Sequence, residues 1–255
     1  MKKINPIFVI AAFLLFTLSA CKKEDNNNYD TGEVSLDITN IVGNVNLDAS
    51  GTSFYVTASG DSFSVTKFKY YLSNFELIKS DGSTYKIPES YVLINEADVT
   101  SFTPVFSDIP GGEYTGVKFI IGVDSAHNVS GAQSGALDPG NDMFWSWSTG
   151  YIFLKLEGTA VASPSGDFIY HIGGFSGANA AMRTVTLNFD GSKLIVDGAR
   201  EAEIHIMTDV LEFFKNPDDL NLATTNLVMS PGATAMSIAN RYQDMIKFDH
   251  IHNGN

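Results

Sequence analysis

Apolar and polar residues alternate along most of the chain after its first thirty residues, and a period of two is typical of half-buried β-strands. The alternation begins at residues 34–38. A longer alternating stretch covers residues 65–78, and its pattern changes register near Ser73 and Asn74. The sequence therefore predicts a long strand with an irregularity near its middle.

Asp-Gly pairs, which favour turns, separate several of the alternating stretches. They lie at residues 81–82, 190–191 and 197–198. The other predicted strands cover residues 85–87, 91–95, 114–121, 151–157, 168–172, 184–189, 194–196 and 202–207. Short strands at such regular spacing predict an all-β fold, an antiparallel β-sandwich.

The period changes towards the C-terminus. Apolar residues between Pro231 and Phe248 follow helical spacing, which predicts a short helix that closes the domain. A second helical segment is predicted over residues 211–215, ended by Pro217. Since no linker divides the alternating part, we predict one domain over residues 32–255.

The N-terminus has the pattern of an export signal. Two lysines precede an apolar run over residues 7–18, which is too short to span a bilayer and ends in the sequence LSAC. This resembles a lipoprotein cleavage site and implies a signal peptide over residues 1–20, with acyl chains on Cys21. Residues 21–31 are polar and are predicted to be a tether. We expect an outer-membrane lipoprotein facing the periplasm or the exterior; the alternative is an ordinary signal peptide with a coincidental cysteine.

Composition and motifs exclude several classes of function. With 29 acidic against 16 basic residues and a formal charge of −13, the chain lacks the basic excess that nucleic acid binding requires. A single cysteine excludes an intramolecular disulfide and, once lipidated, leaves no thiolate for a metal. The sequence contains none of the G-x-S-x-G, H-E-x-x-H, Walker or G-x-G-x-x-G motifs. We therefore expect a protein that is not an enzyme.

Residues 124–158 stand out because both tryptophans of the chain lie there. Trp145 and Trp147 share one face if the segment is extended, and Trp145 is predicted to be the more exposed. His127 lies in the polar stretch before them. His171 follows on a predicted strand with two glycines after it, which leave room around its imidazole.

Four segments of the sequence carry a family resemblance. They read YYLSNFEL, IPGGEYTGVKFIIGVD, MFWSWSTGYIFLKLEG and FIYHIGG. In order and spacing they resemble the MbnP-like family of copper-binding proteins, over residues 34–189, with FWSWSTGYIFLKLEG as the specific part. The resemblance implies copper held by two histidines and by a tryptophan oxidised to kynurenine. His171 matches the family's HxG histidine, Trp145 and Trp147 match its tryptophan pair, and His127 lies close to its other histidine without matching it.

The resemblance implies a copper carrier or scavenger in the cell envelope, with a dihaem peroxidase-like protein or a copper-uptake system as partner. The chemistry agrees, because neutral imidazole binds both Cu(I) and Cu(II). The alternative is a surface lipoprotein that binds glycans or proteins without metal. It predicts that Trp145 and Tyr151 are exposed as a stacking platform.

Three further histidines are secondary metal candidates. The alternation of residues 202–207 turns His205 outward, beside Met207. His250 and His252 are two residues apart, a spacing that can chelate a metal when the chain is extended. Both lie near the C-terminus, where chains often fray, so we expect them to be mobile.

Overall fold

A computed structural model of the chain describes residues 30–131, 133–146, 149–215 and 217–254. The predicted signal peptide, Cys21 and Trp147 lie outside the described residues, as does most of the predicted tether. Within these ranges, none of the helices has the length and apolar character needed to cross a membrane.

Strands dominate the described residues, and the prediction of a mostly β protein is confirmed. The strands are β1 (Gly32–Val42), β2 (Val45–Asn46), β3 (Tyr55–Val56), β4 (Ser62–Lys79), β5 (Thr84–Lys86), β6 (Tyr91–Asn95), β7 (Val105–Ile109), β8 (Gly112–Ile121), β9 (Phe144–Ser146), β10 (Gly150–Ala160), β11 (Asp167–Gly173), β12 (Arg183–Asn188), β13 (Leu194–Val196), β14 (Ala202–Asp209), β15 (Leu227–Val228) and β16 (Ile246–Asn253). The α-helices are α1 (Ser125–Val129) and α2 (Ala233–Tyr242). Short 3-10 helices cover Val99–Phe102, Gly135–Leu137, Pro139–Asn141, Gly177–Asn179 and Val210–Phe214.

The strands form two sheets. The smaller sheet has the order β16-β14-β1-β2, with β7 also paired to β1. The larger has the order β12-β8-β4-β10-β11-β15, with the remaining short strands paired to β4, β8 and β10. Most pairs are antiparallel, as the predicted antiparallel β-sandwich requires, but β1 pairs with β14 and β11 with β15 in parallel. Parallel pairing requires a long connection, and most of the chain separates β1 from β14.

Strand β4 is the centre of the larger sheet and has the predicted irregularity. Its pairing with β8 shifts register between Ser73 and Glu76. Asn74, between them, has a positive φ of 55°, a conformation that asparagine tolerates better than most residues. The bend lets one long strand pair with β10 and β8 along different parts of its length.

The two sheets pack through their apolar faces. In the smaller sheet, Leu36 of β1 and Ile204 of β14 are fully buried. Tyr70 of β4 reaches across from the larger sheet, where its hydroxyl donates to Asn40 Oδ1 at 2.9 Å and lies 2.9 Å from Thr208 Oγ1. Because side chains alternate along a strand, the polar residues between these apolar positions face away from the core.

The C-terminal region differs from its prediction. Helix α2 ends at Tyr242, and residues 246–253 form strand β16, antiparallel to β14, so a helix continuing to Phe248 was wrong. Pairing with β14 satisfies the backbone of these residues and buries Ile246, which outweighs the local helical pattern. The expectation that residues 250 and 252 fray was wrong for the same reason. The predicted short helix near residue 211 is confirmed as the 3-10 helix Val210–Phe214.

Candidate functional site

His127 lies on α1, the single helical turn that follows β8. The carboxylate of Asp124 begins this helix by accepting from the backbone N–H groups of Ala126 and His127. The predicted polar loop is therefore ordered at this point, and the cap fixes His127 beside Asp124.

Hydrogen bonds orient the His127 ring. The Tyr91 hydroxyl donates to Asp124, so His127 Nδ1, 2.7 Å from that hydroxyl oxygen, acts as the donor to it. In the neutral ring this leaves the lone pair on Nε2, which lies 3.2 Å from Glu89 Oε2. Glu89 is 81% exposed and free to rotate aside. Metal-binding histidines commonly have this arrangement, with the other ring nitrogen held by a carboxylate or carbonyl.

Asp124 and Tyr91, which contact His127, each have a fixed protonation state at neutral pH. Burial raises the pKa of Asp124, but hydrogen bonds from Tyr91, Asn74 and His127 outweigh it and hold this pKa well below its usual range. Burial and the bond to Asp124 raise the pKa of Tyr91, so its phenol stays protonated. The ring of His127 opens into a cleft of about 550 Å³ that Glu89 and Tyr91 also line.

His171 lies on the face of β11 that points away from Phe168 and Tyr170, which are buried in the core. Its Nε2 lies 2.8 Å from Oε1 of Glu157, on the neighbouring strand β10. Burial lowers the pKa of His171, despite the opposing effect of Glu157. The imidazole is therefore neutral at neutral pH, the form that binds metals.

Two lysines form hydrogen bonds with the segment that precedes the tryptophans. Lys155, which is only 2% exposed, donates from Nζ to the main-chain oxygen of Asp142 and to its Oδ2, the latter at 2.8 Å. Lys69 Nζ donates to the main-chain oxygen of Asn141 at 3.1 Å. These bonds hold the chain just before Trp145 against β4 and β10.

The Trp145 indole packs against the backbone of Gly173, on the same strand as His171. A Cβ added to Gly173 would lie 2.7 Å from Cζ3 of Trp145, so the indole occupies the space that glycine leaves. Gly173 is two residues after His171, and residues two apart share one face of a strand. Trp145 and His171 are thus on the same face of β11. Trp145, predicted to be exposed, is half-buried and packs against the core, and Trp147 lies outside the described residues.

The predicted stacking platform does not form. Tyr151 is 1% exposed, and its hydroxyl donates to the main-chain oxygen of Leu137 at 2.6 Å. Its ring also packs against Phe144 and Tyr71. Tyr151 is a core residue, because its position in β10 faces the segment that contains Leu137 and Phe144 and not the solvent.

His127 and His171 have separate surroundings. None of the hydrogen-bond partners of His127 is also a partner of His171. Among the described residues, neither belongs to a set of three or more His, Cys, Asp or Glu with ligand atoms within 4.8 Å of one another. Of the primary candidates, the structure brings Trp145 to His171.

A second group of donors lies on the outer face of the smaller sheet. The parallel pairing of β1 with β14 places Asp37 opposite His205. His205 Nδ1 lies 3.0 Å from Asp37 Oδ2, and its Nε2 lies 2.8 Å from Glu203 Oε1. The three side chains offer ligand atoms within 4.8 Å of one another, and in the part of the chain that the structure describes they are the one such set.

The other two secondary candidates lie on the same face. The His250 ring stacks on the His205 ring, with centroids 3.9 Å apart and planes at 16°. His252 pairs with Glu203 across β16 and β14, and residues directly opposite in a pair project to one side of the sheet. The structure therefore gathers His205, His250 and His252 on one surface.

Sequence reasoning did not single out the partners of these histidines. Asp37 and Glu203 occupy polar positions of alternating strands, which was the available signal, but the parallel pairing of a strand near residue 37 with one near residue 205 has no local signature. Tyr91 lies in a predicted strand and Asp124 begins the polar stretch, and nothing in the sequence indicates that the two meet at His127.

Comparison with known proteins gives one family and one structure. The family model for MbnP matches residues 31–232. A solved structure, MbnP from Methylosinus trichosporium, is 15% identical, with 80% of this chain and 82% of that chain covered and a TM-score of 0.49. No curated protein matches the chain. Strand β16, with His250 and His252, lies beyond the residues that the family model matches.

Proposed function

Since the chain belongs to the MbnP family, we propose that it is a lipid-anchored envelope protein that binds copper as a carrier or scavenger. Acyl chains on Cys21 hold it at the outer membrane, facing the periplasm or the exterior. The partner we propose is a dihaem peroxidase-like protein or a copper-uptake system. In this proposal the β-sandwich fold holds the copper ligands in place, and the protein does not catalyse a reaction.

The placement of Trp145 carries this proposal. Its indole lies on Gly173, two residues after His171 on the same strand face, in the part of the sequence most typical of the family. A neutral imidazole and an oxidisable indole thereby lie on the same face of β11. Oxidation of Trp145 or Trp147 to kynurenine would add an amine or a carbonyl donor next to His171.

The donor set suits copper. In His171 the ring nitrogen Nε2 faces Glu157, and in His127 Nδ1 faces Asp124 and Tyr91, so one nitrogen of each neutral ring retains its lone pair. Two neutral imidazoles suit Cu(I), and copper binds imidazole more strongly than the other divalent first-row metals do. The pairing of Lys155 with Asp142 reduces the positive charge near His171.

Anaerobic titration of the full-length protein with Cu(I), against a competing chelator, tests the ligands. We expect His171→Ala to weaken binding and the double variant His127→Ala/His171→Ala to abolish it. His252→Ala, which changes an exposed histidine of the other sheet, is the matched control and should retain binding. Unchanged stoichiometry and affinity in a folded double variant would contradict the assignment.

Mass spectrometry of protein purified from its native envelope tests the modified tryptophan. We expect the peptide that contains Trp145 and Trp147 to carry the mass change of oxidation to kynurenine. A fully copper-loaded protein with both tryptophans unmodified would show that kynurenine is not a ligand.

Membrane fractionation tests the anchor. We expect the native chain in the membrane fraction and the variant Cys21→Ser outside it, because acyl chains supply the membrane affinity. A Cys21→Ser protein that still sediments with membranes would contradict lipid anchoring at this residue.

A further inference from the structure

We propose that the outer face of the smaller sheet forms a second metal site, which binds a borderline divalent transition-metal ion through Asp37, Glu203 and His205. We refer to these three residues as the His205 site. Its place on β1 and β14 separates it from the copper ligands proposed above, which lie on α1 and β11.

The two carboxylates around the His205 imidazole favour a bound cation. A neutral imidazole carries one N–H, yet both ring nitrogens of His205 face a carboxylate, at 3.0 Å and 2.8 Å. One carboxylate oxygen therefore faces a nitrogen lone pair unless a proton or a metal ion lies there. Among the described residues, no lysine or arginine forms an ion pair with Asp37 or Glu203.

The distances are close to those of a bound ion. Zinc bonds to imidazole nitrogen and carboxylate oxygen are about 2.0–2.2 Å long, so two ligands of one ion are at most about 4.4 Å apart. The three ligand atoms already lie within 4.8 Å of one another. Asp37 is 37% exposed, and a small rotation of its side chain closes the difference. One imidazole with two carboxylates is a donor set that suits Zn²⁺ and similar divalent ions.

His250 supplies a fourth ligand. The pairing of β14 with β16 shifts register between Ile204 and Ile206, so that both Asp249 and His250 lie opposite His205. Irregularities of this kind re-aim side chains within a sheet. The His250 ring stacks on His205, and because it is 56% exposed it can turn a nitrogen towards the ion.

Ligand softness distinguishes the two metal sites. Two carboxylates with one imidazole favour a divalent ion, whereas the copper site proposed above relies on two imidazoles, which suit Cu(I). An ion at the His205 site also connects β1, the first strand, to β14 and, through His250, to β16, the last one. We therefore expect Zn²⁺ to stabilise the smaller sheet without occupying the copper site.

Calorimetric titration of the full-length protein with Zn²⁺ tests the proposal. We expect one saturable site, and a rise in Kd of about tenfold or more in both Asp37→Asn and His205→Gln, since even residues that only support a metal ligand change affinity by that much. His250→Ala should weaken binding less than either. The controls are Asp108→Asn, an exposed aspartate whose positive φ asparagine also adopts, and His127→Ala/His171→Ala. Both should bind Zn²⁺ as the native protein does.

The outcomes separate the alternatives. Circular dichroism and thermal unfolding in EDTA establish that each variant is folded, and if His205→Gln does not fold, Asp37→Asn decides. No saturable Zn²⁺ binding, or native affinity in folded Asp37→Asn, would overturn the site and leave His205 as a hydrogen-bonding residue between two carboxylates. Loss of Cu(I) binding in His127→Ala/His171→Ala with Zn²⁺ binding retained would support both proposals independently.

Discussion

The two histidine-bearing regions of this molecule are built in opposite ways. At the end of the larger sheet, His127 and His171 each have their own hydrogen-bond partners and are linked by no shared side chain. On the smaller sheet, donors from three strands converge around His205. The residues that carry the family resemblance are therefore not the residues that form the tightest cluster of donors.

Burial distinguishes His171 from His205 but does not distinguish His127 from it, since these side chains are 11%, 21% and 23% exposed respectively. Burial lowers the pKa of His171 and keeps its imidazole neutral, although Glu157 lies 2.8 Å from its Nε2. The His205 site is half exposed and rich in oxygen donors. Four variants probe the region of His127 and His171, and two of them also test whether it is independent of the His205 site.

Gly173→Ala should have the largest effect. Its Cβ would lie 2.5 Å from the main-chain oxygen of Tyr151 and 2.7 Å from Trp145, so the strand or the indole must move. We expect the free energy of unfolding, measured in urea, to be about 3 kcal/mol lower than that of the native protein. Cu(I) binding should also be weaker. Gly232→Ala is the control, since nothing lies within 4 Å of the added atom. A change in Zn²⁺ affinity would show that the two regions are coupled.

Asn128→Ala should come next. This buried side chain accepts from the backbone N–H of Tyr151 at 2.8 Å and donates to the main-chain oxygens of Val123 and Asp124. Removing it leaves these groups unpaired, at a cost of about 2 kcal/mol in urea unfolding. Asn46→Ala, at an exposed strand position, should have little effect. A loss as small as that of the control would mean that α1 is not fixed through Asn128.

Tyr91→Phe should have a smaller effect. It removes the hydroxyl that lies between Asp124 and His127, and we expect a loss of about 1 kcal/mol. Cu(I) affinity should fall because the His127 ring loses one of the groups that orient it, whereas Zn²⁺ affinity should not change. Tyr85→Phe, which removes only a 3.5 Å contact to a main-chain oxygen, is the control. Native Cu(I) affinity in Tyr91→Phe would argue against His127 as a ligand.

The smallest effect should be a pH dependence from His171. Burial lowers its pKa in the folded state, so as the pH falls through the usual range of histidine the unfolded state gains a proton first. Its contribution to stability is therefore present above that range and lost below it. We expect His171→Gln to reduce the loss of stability between about pH 7 and 5, measured by urea unfolding. His252→Gln is the control, and an unchanged profile in His171→Gln would contradict the buried neutral imidazole.

Local chemistry accounts for what the sequence predicted well. The irregularity near Asn74 and the turns at Asp-Gly pairs depend on residues adjacent in the chain, and both predictions are supported by the fold. The predicted helix up to Phe248 failed because the edge of β14 determined the conformation of residues 246–253. Long-range strand pairing outweighed a helical pattern that was correct only to Tyr242.

The candidate sites show the same limit. The tryptophan segment was recognisable because its residues are consecutive, and the structure places Trp145 beside His171. Asp37 was not recognised because only the parallel pairing of β1 with β14 brings it to His205, whereas alternation alone places Glu203 on the face of His205. The alternation of apolar and polar residues predicts the face of the strand on which each of these residues lies. It does not predict which residue of another strand lies next to it.

The parallel pair also determines how the domain bears mechanical load. Any pull on the residues before Gly32 acts along β1, which lies inside the smaller sheet between β14 and the strands β2 and β7. Seven residue pairs connect β1 to β14, from Ser35 to Ile41. A force along the strand loads these hydrogen bonds in shear, so they share it and must break together. Force applied through the residues before Gly32 would therefore act on a strand that is paired on both sides.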